Sequence, residues 1–398
     1  MHRPLVVLRG RPLGGGSLVA LLLTLAAAAA GAQAQPLAIG LTAPLTGPDA
    51  AYGLGLRHGA QLAVARANAG GGVAGRPLEL LALDDGGDPH RAAANARLLL
   101  ARGAVALTGV RGARATAAVA EVLAPAAGEA PRAALVGPAT GAEPLRDPPR
   151  PGVFHLRAGA AEEASAALLH LDTLGVSRYA LIAQADAQGE SGGERVLFEL
   201  TRIAIRPVAS ERLAERATPA DVRRVVDQVC AQRPEAVILA LDALQAGAAL
   251  AAARAQPCAT HYLVFSEAGA ALAARPPGSR GPHPLAGLLV TQVVPHPGNV
   301  LHPLVAEYQR ALTAQEAPGA HVAMPGGHPS LEAYAATRVI HEALRACGRE
   351  AGRACLLQSL ATRAFELPGL KVQFGPAQRQ PRPFVEITLL DGEGRLRR

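Results

Sequence analysis

Apolar positions along the chain fall into two alternating kinds of segment. Short continuous apolar runs predict buried strands, and longer Ala-rich stretches with helical spacing predict amphipathic helices. The predicted strands are Leu37–Thr42, Leu78–Asp84, Val105–Thr108, Ala133–Val136, Tyr179–Ala183, Ala236–Leu241, Tyr262–Ser266 and Leu288–Val293. The predicted helices are Gly59–Asn68, Arg91–Ala101, Ala115–Ala126, Glu162–Leu174, Pro219–Gln232 and Gln245–Ala255. This alternation predicts an α/β protein with parallel sheets covered by helices, which binds ligands at the carboxyl ends of its strands.

Two stretches rich in Pro and Gly or charge, Gly141–Gly152 and Arg275–Pro284, interrupt the alternation. A chain that leaves one lobe near residue 157 and returns near 287 forms two lobes joined by several crossovers. We expect lobe 1 to comprise residues 35–157 plus 287–370, and lobe 2 residues 158–286 plus 371–398. Multiple crossovers form a hinge, which allows a cleft to close on a ligand.

The first 34 residues have the three parts of a secretory signal peptide. Met1–Arg11 is basic, Leu18–Ala30 is apolar, and Ala30–Ala34 offers small-x-small cleavage sites. The apolar run is short for a bilayer span, although an uncleaved anchor is the alternative. Without a Cys at the junction, a lipid anchor is not indicated. We therefore expect residues 1–34 to be removed on export.

The charge of the chain does not indicate a nucleic-acid partner. Removal of the signal peptide takes away three arginines and no acid, which lowers the formal charge from +7 to +4. Arginine supplies all the basic residues except Lys371. Because no basic run is interleaved with aromatic residues, nucleic-acid binding is not expected.

Four cysteines, Cys230, Cys258, Cys347 and Cys355, lie in a chain expected to be exported, where disulfides persist. Their order suggests the pairs Cys230–Cys258 and Cys347–Cys355, but four cysteines allow three pairings. Free buried thiols are the other interpretation. Their spacing does not match a zinc site.

Catalytic and cofactor motifs are incomplete in this sequence. Gly109–Gly112 matches only part of a dinucleotide-binding fingerprint, and His341-Glu342 lacks the second His of a zinc protease. Asp84 and Asp85 could form a carboxylate pair for acid–base catalysis, but no activated nucleophile accompanies them. We therefore predict a protein that is not an enzyme and has no catalytic residue, metal or cofactor.

Short motifs occur in order along nearly the whole mature chain. They are Leu45-Thr46-Gly47-Pro48, Ala51-Tyr52-Gly53, Asn68–Arg76, Leu83-Asp84-Asp85, Asp88-Pro89, Gly137–Glu143, Val153–Arg157, Gln292–Pro295, Ser330–Tyr334 and Phe374-Gly375-Pro376. In this order and spacing the chain resembles the type I periplasmic substrate-binding proteins of ABC importers, in the branched-chain amino-acid (Leu/Ile/Val)-binding group. The resemblance implies two Rossmann-like lobes with parallel central sheets and a multi-crossover hinge.

The resemblance also implies a function and partners. It predicts a monomeric periplasmic protein that binds an amino acid or small organic acid between its lobes and delivers it to an inner-membrane ABC permease. A ligand-sensing receptor of the same fold, not coupled to transport, is the alternative.

The resemblance places the ligand site on loops of the first lobe and strand ends of the second. Strand-to-helix turns there present backbone N–H groups to a carboxylate. Tyr52 would form an aromatic wall or donate its hydroxyl, unless it is a hydrophobic surface residue. The candidate ligand-binding residues are Tyr52, Arg111, Gly112, Ala113, Thr116, Ala139, Thr140, Gly141, Asp186, Gln188, Asp242 and Glu267.

The chain departs from the family pattern at several of these positions. Ala113 stands where the family usually has Ser or Thr, and the aromatic residues of the second lobe are replaced near Gln188 and Ala243. Arg111 and Arg114 add charge that the pattern does not contain. Either arginine could clamp a carboxylate with two hydrogen bonds or lie solvated at the helix start. These changes leave the identity of the ligand open.

Overall fold

The structure is a computed structural model that describes residues 2, 35–126, 129–255, 257–274, 280–315, 327–380 and 383–398. Apart from residue 2, the predicted signal peptide lies outside the described residues. Within these ranges, none of the helices combines the length and apolar character needed to cross a membrane.

The first sheet has five parallel strands in the order β2-β1-β3-β4-β5. Its strands are β1 (Leu37–Ala43), β2 (Leu78–Asp84), β3 (Ala106–Thr108), β4 (Ala134–Val136) and β5 (Val153–Phe154). The helices between them are α1 (Ala50–Ala69), α2 (Pro89–Ala101) and α3 (Ala113–Leu123). β1, β3 and β4 are buried along their whole length, as expected for parallel strands covered on both faces.

The second sheet has seven strands in the order β14-β13-β10-β9-β8-β6-β7. Its strands are β6 (Tyr179–Gln184), β7 (Ala209–Leu213), β8 (Ala236–Ala240), β9 (His261–Val264), β10 (Leu289–Gln292), β13 (Glu386–Leu390) and β14 (Leu396–Arg397). The helices around it are α4 (Ala160–Thr173), α5 (Ala187–Arg202), α6 (Pro219–Ala231), α7 (Ala243–Ala255) and α8 (Ser266–Ala273). β6 to β10 pair in parallel, whereas β13 and β14 are antiparallel.

Three further helices and a two-stranded antiparallel ribbon complete the structure. They are α9 (Pro303–Gln315), α10 (His328–Cys347), α11 (Arg353–Thr362), β11 (Ala364–Leu367) and β12 (Leu370–Gln373). α10 packs closely on α1, where Gly59 lies so near Ser330 that a Cβ would overlap its carbonyl oxygen. Val339, Phe365 and Phe374 share a hydrophobic core with β1 and β4.

Strand pairing differs from the expected lobe boundaries at two places. β10, which a boundary at residue 287 assigns to lobe 1, pairs with β9 in the seven-stranded sheet. Val372 and Phe374, which a boundary at residue 370 assigns to lobe 2, lie in the core of the first sheet. The sequence of an apolar strand does not indicate which of the two sheets it joins, because either sheet would bury it.

The chain also differs from the predicted elements around Tyr52. α1 begins at Ala50 rather than Gly59, so Tyr52 lies in the first helical turn and not in the preceding loop. Gly53 and Gly55 weaken the helical signal there. Gly53 is needed because a Cβ would overlap the carbonyl oxygen of Pro44.

The structure contains two disulfides in the order that the sequence favours. Cys230 at the end of α6 pairs with Cys258, and Cys347 at the end of α10 pairs with Cys355 in α11. Each bond therefore joins a helix end to a segment close by in the chain.

Candidate functional site

The turn after β1 is held in place by carboxylates at the end of β2. Asp84 accepts hydrogen bonds from the backbone N–H groups of Leu45 at 2.8 Å and Thr46 at 3.2 Å, and from the Thr46 hydroxyl at 2.7 Å. The bond from the Thr46 hydroxyl, with backbone donors, lowers the pKa of Asp84 to about 2. Asp85 accepts from the Thr42 hydroxyl at 2.9 Å. Asp84 thus positions the turn, and Asp85 holds the end of β1 from which the turn starts.

A cavity of about 200 Å³ lies where the carboxyl ends of strands from the two sheets face each other. Its walls combine charged side chains, small residues and the first turns of helices from both lobes. The lining residues are Pro44, Asp49, Gly87, Arg111, Gly112, Ala113, Arg114, Ala115, Gln184, Asp186, Ala187, Gln188, Gly189, Glu215, Leu241, Asp242 and Glu267. This is the position at which open α/β sheets bind ligands.

Arg111 connects the two walls of the cavity. Its Nη2 donates to Asp49 Oδ1 at 3.1 Å and to the carbonyl oxygen of Glu267 at 3.2 Å. The guanidinium lies over the Tyr52 ring, 4.0 Å from the ring centroid, in a cation–π arrangement. Burial acts to lower the pKa of Arg111, but Asp49 and Tyr52 outweigh it and raise that pKa. Arg111 is therefore a buried cation held by both lobes.

The first turn of α3 follows Arg111 and faces the same cavity. Gly112 is the N-cap residue, with φ of +82°, a conformation that favours glycine. Because glycine has no side chain to cap the helix, the first backbone N–H groups of α3 are left for another acceptor. Arg114 Nη1 lies 2.7 Å from Glu215 Oε1 on the opposite lobe. Both of those side chains are exposed enough that such a pair contributes about 0–1 kcal/mol.

Two aspartates of the second lobe cap helices at the cavity. Asp186 accepts from two N–H groups in the first turn of α5, at 3.1 and 2.8 Å, and Asp242 accepts from the N–H of Gln245 at 2.8 Å. The Gln184 amide bridges the other oxygens of the two carboxylates, at 2.9 and 3.1 Å. The aspartates are thus bonded within their own lobe.

Direct hydrogen bonds close the cavity on its inner side. The Gly141 N–H donates to Glu267 Oε1 at 2.6 Å, and the Thr140 hydroxyl donates to Gln188 Oε1 at 3.1 Å. Burial raises the pKa of Glu267, and two nearby arginines oppose this effect. These contacts hold α5 and α8 of the second lobe against the turn after β4.

A buried group of charged and polar residues, the crossover cluster, lies next to the cavity: Tyr52, Arg157, Glu163, Ser266 and Glu332. The Arg157 side chain is 1% exposed and lies 3.3 Å from both the Glu332 and Glu163 carboxylates. It also donates to the Ser266 hydroxyl. The Tyr52 hydroxyl donates to Glu332 at 3.0 Å, and burial together with Glu332 raises the pKa of Tyr52. Through Tyr52, whose ring lies under the Arg111 guanidinium, the cluster therefore connects Arg111 to residues of both lobes.

Comparison with known proteins identifies the family of this chain. A family model described as periplasmic binding protein matches residues 36–388. The chain belongs to the periplasmic binding protein family. The match includes the whole first sheet, the second sheet up to residue 388 in β13, and every residue that lines the cavity.

Curated relatives of this periplasmic binding protein match it over short regions. Leu/Ile/Val-binding protein BraC3 of Rhizobium johnstonii is 45% identical over 65 residues, which is 16% of this chain and 18% of that protein. Leu/Ile/Val-binding protein homolog 2 of Brucella abortus is 45% identical over 53 residues, 13% of this chain and 14% of that protein. The chain thus aligns with less than a fifth of the length of each. These relatives are named as binding proteins, not enzymes.

Solved structures match the chain over almost its whole length. An extracellular ligand-binding receptor from Verminephrobacter eiseniae has a TM-score of 0.75 at 23% identity, covering 91% of this chain and 100% of that one. A possible leucine/isoleucine/valine-binding protein from Rhodopirellula baltica has a TM-score of 0.74 at 26% identity, covering 91% and 95%. The predicted fold class, two α/β lobes with parallel sheets, is therefore confirmed.

The structure brings most of the predicted site residues together. The residues that line the cavity are Arg111, Gly112, Ala113, Asp186, Gln188, Asp242 and Glu267. Thr140 and Gly141 hydrogen-bond to two of them. Tyr52 is buried beneath Arg111, Ala139 accepts a hydrogen bond from the Gly112 N–H at 3.1 Å, and Thr116 is fully buried in α3. Whether each contacts a ligand stays a prediction.

Sequence reasoning missed Asp49, Glu215, Arg157 and Glu332. Arg157 and Glu332 lie in the motifs Val153–Arg157 and Ser330–Tyr334, and a charged residue within a quoted family motif was their signal. Asp49 precedes α1, whose start was predicted too late. Within the described ranges, no group of three or more His, Cys, Asp or Glu residues could hold a metal ion.

Proposed function

We propose that this protein is the solute-binding component of an ABC importer and acts in the periplasm. It would hold one small carboxylate, an amino acid or organic acid, in the cavity between its lobes. The observation that carries this proposal is the placement of Arg111 and the uncapped start of α3 on one wall, with the polar helix starts of the second lobe opposite.

The chemistry of the first wall suits a carboxylate. A guanidinium forms strong charge-assisted hydrogen bonds to carboxylates, and a helix N-terminus adds partial positive charge. The volume of about 200 Å³ lies below the range of roughly 300–1,000 Å³ typical of drug-sized ligands. The proposed ligand is therefore small.

The output of binding would be a shift between open and closed forms. A ligand that contacts both lobes binds the closed form better and raises its population. A membrane permease would then recognise that form. The names of the curated relatives, which are Leu/Ile/Val-binding proteins, support a small-solute role of this kind.

A thermal-shift screen of the mature chain with amino acids and organic acids tests the proposal. At a ligand concentration 100 times the dissociation constant, stabilisation is about 2.7 kcal/mol, which is easily measured. Ala113→Asp places a carboxylate at the start of α3 and is expected to abolish the shift, whereas Ala126→Asp, on an exposed position beyond α3, is expected to preserve it. No shift with any acid, or an equal shift for Ala113→Asp, would contradict the proposal.

Transport is tested separately, by uptake of the identified solute in cells that lack this protein. Loss of uptake would support the importer role. Unchanged uptake with intact binding would instead support the ligand-sensing receptor.

A further inference from the structure

Several hydrogen-bond donors at the cavity are unused. Arg111 has a side chain that is only 9% exposed, and its Nε and Nη1 have no hydrogen-bond partner in the part of the chain that the structure describes. The same is true of Gln188 Nε2 on the opposite wall. A buried donor without a partner is costly, so a ligand that supplies an acceptor relieves that cost.

The first turn of α3 adds more donors to the same wall. Its N-cap, Gly112, provides no side-chain acceptor, and its N–H groups at Ala113 to Ala115 cannot be satisfied within the helix. These residues line the cavity beside Arg111. The charged group and the helix start therefore act on one ligand position, and both favour negative charge.

Each carboxylate that lines the cavity, by contrast, already has a donor or a cation as its partner. Both oxygens of Asp186 and both oxygens of Asp242 accept hydrogen bonds from their own lobe. Glu267 accepts from the Gly141 N–H at 2.6 Å. An ammonium group carries three donors and must replace its water with acceptors. A ligand ammonium would therefore have to share carboxylates that already have partners, whereas a ligand carboxylate finds unused donors.

Apolar surface at the cavity is also limited. Among the lining residues, Pro44 and Leu241 are the larger apolar ones, and the rest of the apolar lining is alanine. Tyr52 lies under the Arg111 guanidinium, so its ring face is covered by charge. A branched apolar side chain would gain little from burial against such walls.

We propose that the cleft selects a small organic acid that lacks an ammonium group, and that Arg111 is the specificity-determining residue that binds its carboxylate. This inference rests on the proposed function and narrows its ligand class. Nε and Nη1 of Arg111 are the donors assigned to the carboxylate, while Nη2 keeps its bonds to Asp49 and Glu267.

Isothermal titration with matched ligand pairs tests the ligand class on the wild-type protein. Each pair differs by one ammonium group: succinate and aspartate, glutarate and glutamate, 4-methylpentanoate and leucine. We expect an acid to bind at least about tenfold more tightly than its aminated partner, a factor equivalent to about 1.4 kcal/mol. Tighter binding of the aminated member of a pair would overturn the inference while leaving the proposed cleft function intact. If neither member of any pair binds to the folded protein and the thermal-shift screen is also negative, the proposed function itself fails.

Variants of Arg111 test the residue that carries the specificity. Arg111→Gln is expected to weaken binding of the acid by roughly 10- to 100-fold, as for loss of a charged hydrogen bond, and Arg111→Lys is expected to recover part of it. Arg224→Gln, in an exposed ion pair with Asp221 away from the cavity, is the matched control and should change affinity less than about threefold. Circular dichroism melts establish that each variant is folded. Equal affinity of wild type and a folded Arg111→Gln would refute the role of Arg111.

Discussion

Replacing Arg157 with Met is expected to destabilise the protein severely. The Arg157 side chain is 1% exposed and faces two carboxylates, Glu163 and Glu332, which are 0% and 5% exposed. Met fills similar space but removes the charge, which leaves two buried carboxylates without their cation. Removal of one partner from a buried ion pair costs about 3–5 kcal/mol, so we expect the variant to lose at least that much free energy of unfolding.

Urea denaturation followed by far-UV circular dichroism measures this loss, with the slope of the transition compared between proteins. Arg224→Met is the control, because Arg224 forms an exposed ion pair with Asp221 and should change stability by less than about 1 kcal/mol. In the double variant Arg157→Met/Glu332→Gln, the cost should fall below the sum of the single changes, since one buried charge has also been removed. A loss for Arg157→Met of less than about 1 kcal/mol at unchanged slope would show that the crossover cluster is not a charge-balanced unit.

Two further predictions concern packing and pH. Gly59→Ala should destabilise the protein by more than about 1 kcal/mol, because a Cβ would overlap the carbonyl oxygen of Ser330 on α10. Gly247→Ala is the control and should be neutral or stabilising, since its Cβ would have ordinary contacts and Ala is the better helix former. Equal melting temperatures for these two variants would contradict the close packing of α1 on α10. The lowered pKa of Asp84, about 2, means that its ionised form stabilises the fold above pH 4 and that this contribution is lost as the pH falls towards 2. The difference in unfolding free energy between wild type and Asp84→Asn, measured by urea titration, should therefore shrink as the pH falls from 4 to 2. A difference that does not change over this interval would refute the stabilising role of the Asp84 carboxylate. The exposed Asp227→Asn serves as the control for the general effect of removing an acid.

Buried parallel strands were the part of the fold most accessible from sequence. The partly buried edge strand β2 has the predicted bounds, Leu78–Asp84, and β1, β3, β4 and β6, which are buried throughout, differ from prediction by one residue at an end. Both faces of such strands are covered, so their sequences are continuous apolar runs bounded by glycine or charge. The pattern and the physical environment agree at these positions.

Elements whose local sequence conflicts with their structure were missed. β7 (Ala209–Leu213) lies at the edge of its sheet with polar residues and shows no apolar run. α5 contains Gly189, Gly192 and Gly193, which weaken a helical signal. A Cβ at Gly192 would overlap the Phe265 ring, so packing against the sheet requires glycine there. Tertiary contacts override local propensity in both cases.

The candidate site was predictable in outline but not in its contacts. Turns at the carboxyl ends of strands follow from the fold, and these brought Gly112 and Asp186 to one cavity. The partners of Arg111 did not follow, because Asp49 and Glu267 are remote from it in the chain and meet it only through the assembled lobes. The same holds for Arg157 and Glu332.

The order of strands in the second sheet has a consequence for biosynthesis. β10 lies between β9 and β13, yet β13 follows the whole of α9, α10 and α11 in the chain. While the polypeptide is being synthesised, one edge of β10 therefore stays without its neighbour until the residues from 386 onward arrive. Unpaired strand edges promote aggregation, so this lobe is exposed to that risk until synthesis is nearly finished.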